Sequence, residues 1–252
     1  MGNMNDRTGE EKTNTFGSTM RIIKYRNNAD LDILFVDYNW VIKHRMYKEF
    51  KDGKVKCPYE KRVFNIGYLG EGRYNASTNG KNTKYYEIWN KMLARCYAPE
   101  AIKRNPTYTG CEVCPEWHSF QTFAEWADKN YYEIEGQRMA LDKDILYKGN
   151  KIYSPQTCVF VPSGINNLFT KNDKCRGNLP IGVSEYKYGY KACVSCNNKQ
   201  LVLGTFNTTH EAFLMYKLNK ELVIQGVANE YKNKIPTKLY ETLMNYKVEE
   251  GD

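Results

Sequence analysis

The stretch from Met139 to Phe169, MALDKDILYKGNKIYSPQTCVFVPSGINNLF, constrains the fold more tightly than any other part of the chain. Two short β-branched and apolar runs, Ala140 to Leu146 and Cys158 to Val161, are separated by a Gly-Asn turn, and the residues after them can begin a helix. Together they read as strand, loop, strand and helix. The polar residues inside this unit are grouped: Asp142, Lys143 and Asp144 on the first strand, Asn166 and Asn167 where the helix should start. A helix packed across the hairpin would bring carboxylates and amides to one point. An all-oxygen set of that kind suits a hard divalent cation, with water completing the shell.

The rest of the chain surrounds this unit with a folded, basic protein. Its 252 residues suffice for one large domain or two to three small ones, and 41% apolar with 14% aromatic residues excludes a disordered chain. A formal charge of +8 together with 21 tyrosines suits nucleic acid, since lysine neutralises phosphate and aromatic rings stack on bases. On composition alone, a basic protein without a polyanionic partner is an equal reading. No apolar run approaches the roughly 20 residues that span a bilayer, and MGNMNDRTGEEK lacks a signal-peptide core. The expectation is therefore an intracellular protein, with no membrane partner and its eight cysteines reduced.

Residues 1–17 are charged and rich in Gly and Thr, and are expected to be a disordered head. Residues 18–74 read as a β-rich module: MRIIKY, DILFVDY and WVIKHRMYKEF as successive strands, with Ile22, Ile33, Phe35 and Val41 pointing inward. Within it Lys43, His44, Arg45 and Lys48 form a cluster that is a candidate phosphate-contacting edge. Residues 75–83 look like a linker. Two helices follow, one carrying Tyr86, Trp89, Met92, Leu93 and Cys96 at helical spacing until Pro99, the other Phe120, Phe123, Ala124 and Trp126. Such aromatic stripes are core far more often than cofactor boxes.

Between the helices, Cys111-x-x-Cys114 invites a zinc reading whose second pair would have to come from Cys158, Cys175 or Cys193-x-x-Cys196. The last pair lies in an expected strand, where residues three apart face opposite sides, so structural zinc is disfavoured. After the metal-site unit, KNDKCRGNLP is a basic link that contributes Arg176 as a candidate DNA contact. Three short strands and an amphipathic helix complete residues 178–252 with a last short helix, IPTKLYETLMNYKV. Thr208 or Thr209 can cap the amphipathic helix, with Glu211 in its first turn, and Ala212, Met215, Tyr216 and Leu222 form its apolar face.

Asp142, Lys143, Tyr153, Ser154, Pro155, Cys158 and Asn167 resemble the ββα-metal core of HNH endonucleases, in the branch carried by phages and mobile elements. The two preceding helices are similar to that branch at Tyr86, Trp89, Met92, Leu93, Arg95, Cys96, Tyr97, Glu116, Trp117, Phe120 and Phe123. The resemblance implies cleavage of double-stranded DNA with Mg²⁺ or Mn²⁺ ligated by Asp142 and Asn167, with Asn166 beside them. Two positions depart from the pattern. Lys143 stands where the family has its general-base histidine, and Thr157 aligns with the central Asn that braces the loop. Lysine titrates near 10.4, which makes Lys143 a phosphate or transition-state contact, and leaves water activation to Asp144, the metal or His118.

Gly182, Val183, Tyr190, Ala192, Gly204, Phe206, Thr208, Glu211, Ala212 and Tyr216 resemble the plant ethylene-response-factor type of DNA-binding domain. That resemblance implies that the open face of the sheet enters the major groove, presenting Lys187, Tyr188, Tyr190, Lys191 and Lys199. The expected architecture is α+β: a β-rich module over 18–74, an HNH-like core with its helices over 84–170, and a DNA-binding domain over 178–252. The expected function is a metal-dependent endonuclease, a hydrolase that nicks or cuts duplex DNA. It would act in a bacterial cytoplasm if phage-encoded, as a homodimer if it cuts both strands. The alternative is a decayed HNH-fold DNA-binding protein that regulates or inhibits by occupancy. An RNA-binding module that stacks bases on its tyrosines ranks lowest.

Overall fold

The structure, a computed structural model, describes residues 6–169, 177–196 and 199–252, and only the backbone of Cys196. The fold is α+β and divides into two compact units. One comprises Met1–Lys129 with Lys151–Ser154, the other Asn130–Asn150 with Pro155–Asp252.

The first unit opens with a four-stranded antiparallel sheet in sequential order: β1 (Glu11–Thr13), β2 (Thr19–Asn27), β3 (Asp30–Phe35) and β4 (Trp40–Arg45). Met20, Ile22, Leu31, Ile33 and Phe35 are fully buried and pack on Phe50, Val55 and Cys57. β1 lies inside the segment expected to be a disordered head. Its residues are exposed, but Asn14 Oδ1 accepts the N–H groups of Phe16 and Ser18 and makes the turn that returns the chain to β2. A charged composition does not prevent an edge strand, which needs only backbone partners.

The inward set differs at one position. Val41 pairs with Leu34 and is exposed, while Ile42 pairs with Ile33 and packs on the core. With a side-chain period of two, a one-residue slip exchanges the faces. β4 also ends before MYKEF, which forms α1 (Tyr47–Lys51) with Glu49 accepting the Met46 N–H. Residues 75–83 are not an unstructured linker: β5 (Ser77–Thr78) and β6 (Lys81–Asn82) pair around Asn79-Gly80, both at positive φ, as a tight Asn-Gly hairpin requires.

Helices α2 (Lys84–Tyr97), α3 (Pro99–Arg104) and α4 (Phe120–Asn130) follow, with β7 (Glu112–Val113) between the last two. Pro99 ends α2 and starts α3, since proline is tolerated at a helix's first position. Trp89, Met92, Leu93, Trp117, Phe120 and Phe123 are buried, and Trp89 Nε1 donates to the Trp117 carbonyl at 2.7 Å. Gly67 sits against this cluster, where a Cβ would lie 2.5 Å from the Leu93 side chain.

The second unit begins with β8 (Met139–Asp142). The chain then enters the first unit as β9 (Ile152–Tyr153), which pairs there in parallel with β7, and returns as β10 (Val159–Pro162), the antiparallel partner of β8. α5 (Ser163–Asn166) follows and packs on both β8 and β10. The C-terminal sheet, β11 (Val183–Tyr186), β12 (Gly189–Cys196) and β13 (Lys199–Phe206), is antiparallel and carries α6 (Thr209–Tyr231) on one side. Thr208 Oγ1 caps α6 by accepting the Glu211 N–H at 3.2 Å, and the Glu211 carboxylate accepts the Thr208 N–H at 3.1 Å. Gly182 is obligatory: its φ is +77° and a Cβ would lie 2.0 Å from the Tyr216 ring. α7 (Thr237–Met244) buries Leu239 and Leu243 completely.

The division therefore falls elsewhere than at 84–170 and 178–252. Helices α2 to α4 belong with the N-terminal sheet. Val159, Val161 and Ile165 of the strand-helix unit share one core with Ala192, Val194, Phe213 and Tyr216 of the C-terminal part. Burial rather than chain order fixed this grouping, because β10 is buried along its whole length and needs apolar partners on both faces.

Candidate metal centre and nucleic-acid face

Asp142 is the last residue of β8 and lies opposite Val159. Its Oδ1 accepts the N–H groups of Asp144 at 2.9 Å and Ile145 at 2.7 Å, which turns the chain out of the sheet. The strand expected to reach Leu146 stops here for that reason. Burial, and then the negative charge of Asp144, push the Asp142 carboxyl up to about 6 against the pull of the two N–H donors.

Lys143 is buried, and its Nζ lies 3.0 Å from Asp144 Oδ2. Its Nζ donates to that carboxylate, which makes Lys143 the side-chain partner of Asp144. A side-chain amide does close this loop, from Asn150 and not from the position of Thr157. Asn150 Nδ2 donates to the Lys143 carbonyl at 2.7 Å, closing the loop that Asp142 opens. Its signal was the Gly149-Asn150 turn itself, with Gly149 at φ +78°.

Asn166 and Asn167 stand at the end of α5, not at its start. Pro162 precedes the first helical residue, Ser163, so the helix begins earlier in the sequence, and Asn166 closes it. Asn167 caps it from an exposed position and opens a 3₁₀ turn through Phe169. No hydrogen bond joins either amide to Asp142 or Asp144 among the described residues. His118 lies in the other unit, with Nε2 3.1 Å from the Val113 carbonyl and its ring edge-on to Tyr97. The carbonyl can only accept, so Nε2 carries the proton, and the contact accounts for the residue as part of the aromatic packing there.

In the C-terminal sheet, Val183, Ala192 and Val194 are buried in the core that also holds the α6 residues. Tyr190 pairs with Phe206 and packs on that core, so it is not part of the open face as expected. The ring on the open side is Tyr186, 42% exposed, with the ammonium groups of Lys187 and Lys191 5.5 and 5.2 Å from its centroid. Counting the alternation from the buried Val183 would have found it. Lys187 and Tyr188 form the tip of the β11–β12 turn, Lys187 at φ +46° and Tyr188 fully exposed. Lys199 is exposed at the start of β13. Arg176 and Cys175 lie outside the described residues.

Two members of the N-terminal basic cluster have carboxylate partners. His44 Nδ1 is 3.0 Å from Asp30 Oδ1, and Arg45 pairs with Glu49 at 2.8 Å, leaving Lys43 and Lys48 as exposed cations. Two residues of β4 bulge opposite Asp32, which puts His44 at φ +55°. The potential ligand atoms of Asp30, Asp32 and His44 lie within 4.8 Å of one another. The place among them is taken by the Arg26 guanidinium, which donates to Asp30 at 3.0 Å and to both oxygens of Asp32 at 3.0 and 2.9 Å. These bonds hold Asp32 down at about 2.

Cys111 is buried, and burial pushes the neighbouring Cys114 thiol up to about 11. Both lie in the first unit, whereas Cys158 and Cys193 belong to the second. No described helix is long and apolar enough to cross a membrane. No protein-family model, curated protein or solved structure matches the chain.

Proposed function

We propose that the chain is a metal-dependent DNA endonuclease of HNH type, with Asp142 and Asp144 holding a divalent cation and the open face of the C-terminal sheet holding duplex DNA. The observation that carries the reading is the carboxylate pair at the end of β8. Asp142 spends one oxygen on the loop backbone and Asp144 pairs with Lys143, so each keeps an oxygen for a ligand. Hard oxygens of this kind fit Mg²⁺ or Mn²⁺, which need only one or two protein carboxylates and take the rest of their shell from water and phosphate. The side-chain oxygens of Asn166 and Asn167 are of the same donor class. Bound there, the cation would stabilise charge on the scissile phosphate and its leaving oxygen.

The chain's own contributions follow from its geometry. Asn150 and Asp142 hold the loop in one conformation, which keeps the carboxylates aimed without reorganisation. Asp144, with one oxygen left over from its pair with Lys143, would accept a proton from water activated by a cation held there. Lys143 holds one oxygen of Asp144, and Lys187, Lys191 and Lys199 would neutralise phosphates on the sheet face.

The burial of Lys143 favours a second reading, a DNA-binding protein that acts by occupancy on a core that has lost its base. Nicking of supercoiled plasmid separates the two. The nuclease reading expects nicking with Mg²⁺ or Mn²⁺ that disappears in Asp142→Ala and Asn167→Ala. Plasmid left intact by the wild-type protein under every divalent cation, with a salt-sensitive mobility shift retained, would establish the second reading instead.

A further inference from the structure

The loop that follows Asp142 is fastened to the C-terminal elements at two points. Lys148 Nζ lies 2.7 Å from Asp252 Oδ1 and 3.0 Å from Glu249 Oε2, and donates to the Lys247 carbonyl at 3.2 Å. Asp252 is itself held, 13% exposed and accepting the Glu249 N–H at 2.9 Å. Lys238, in the first turn of α7, donates to the Tyr147 hydroxyl at 3.1 Å and the Gln156 carbonyl at 3.3 Å, with its ammonium 4.8 Å from the Tyr147 ring centroid.

The elements that grip the loop are anchored in turn. Leu239 and Leu243 of α7 share the core with Ile224 and Ala228 of α6. Val248 is buried, and its N–H is accepted by Glu221 of α6 at 2.9 Å. α6 packs in turn on β12 and β13, burying Ala212, Phe213 and Tyr216. Loop, α7, α6 and sheet thus form one continuous packed path.

We propose that Lys148 and Lys238 are positioning residues that lock the Asp142–Asn150 loop to the body carrying the sheet, so that DNA is cut at a fixed offset from the sequence that the sheet holds. The inference rests on the nuclease reading. A reader tethered by a flexible link of about ten residues would wander by roughly 17 Å, several steps of about 3.4 Å along a strand, and would scatter its cuts. The shared core holds the sheet to β10, the strand paired with β8, and the two lysines fasten the loop itself to that body.

The test maps cuts at nucleotide resolution on an end-labelled duplex alongside the protein's footprint. The wild type should cut at one position on each strand that it cuts, at constant distance from the protected region. The double variant Lys148→Gln with Lys238→Gln should cut over several adjacent positions with kcat lower by about tenfold or more and unchanged DNA affinity, because small misplacements cost rate before binding. Arginine at both positions should restore the single cut. Hydrogen exchange without DNA or metal gives a second readout: amides of 143–150 exchange faster in the glutamine variant while α6 and the sheet stay protected. If that variant does not fold, Glu249→Gln with Asp252→Asn releases the Lys148 lock from its other side. Wild-type cutting at scattered positions beside a fixed footprint overturns the proposal and leaves the nuclease reading intact. So does a glutamine variant with the wild-type cut and rate. Absence of nicking under every cation overturns both.

Discussion

Replacing Asp142 by asparagine isolates what the carboxylate pair costs the protein when no cation is bound. Asparagine keeps a side-chain oxygen to accept the N–H groups of Asp144 and Ile145, so the turn at the end of β8 survives, and only the charge is removed. The folded protein holds the Asp142 proton up to about pH 6, from an ordinary value of 3.8, because of burial and then the charge of Asp144. A folded-state value above the unfolded one means that the native protein carries a proton which the unfolded chain has released. Stability therefore falls as pH rises from about 4 to about 6 and stays lower above that window. The displacement corresponds to about 3 kcal/mol at 1.36 kcal/mol per pH unit, an upper limit, since the side chain of Asp144 is 50% exposed and screened by water. A gain of roughly 1–2 kcal/mol for Asp142→Asn at pH 7.5 is expected. The assay is chemical denaturation of the metal-free protein at pH 4 and pH 7.5, with and without millimolar Mg²⁺. The variant should be more stable than wild type only at the higher pH, and Mg²⁺ should close the gap by stabilising wild type alone. A variant less stable than wild type at pH 7.5 without metal would refute the crowding argument. Equal stabilisation of both proteins by Mg²⁺ would refute the placing of the cation.

Three further outcomes are expected. Gly182→Ala combines a positive φ with a Cβ driven into the Tyr216 ring, and should destabilise the second unit by roughly 2–5 kcal/mol in a denaturant titration. Arg26→Gln should lower the stability of the first unit by about 2 kcal/mol at pH 7. Because Asp32 titrates below its ordinary value, that difference should hold above about pH 4 and shrink as pH falls through about 2. On the sheet face, Lys187→Gln with Lys191→Gln should reduce the slope of log affinity against log salt by about 2, whereas Tyr190→Ala should lower stability and leave the slope alone. A changed slope with unchanged stability for Tyr190→Ala would return that ring to the open face.

Local pattern decided much of this protein from sequence alone. The 3.6-residue spacing of Trp89, Met92, Leu93 and Cys96 marks α2, and Thr208 with Glu211 marks the start of α6, since both signals are written in neighbouring residues. The apolar run at Val159–Val161 marks β10, and Asp142 to Asp144 stand out as a polar group at the end of its partner. Tertiary structure decided what those pieces pack against. Asp142 ends its own strand because its carboxylate captures two N–H groups, which no periodicity reveals. Tyr190 and Tyr186 exchange roles through a register that is set by pairing with Phe206 and Gly189. The helices before the strand-helix unit join the N-terminal sheet, and its strands β8 and β10 join the C-terminal helix, because apolar faces choose partners by complementary burial wherever the chain brings them, and sequence distance does not enter that choice.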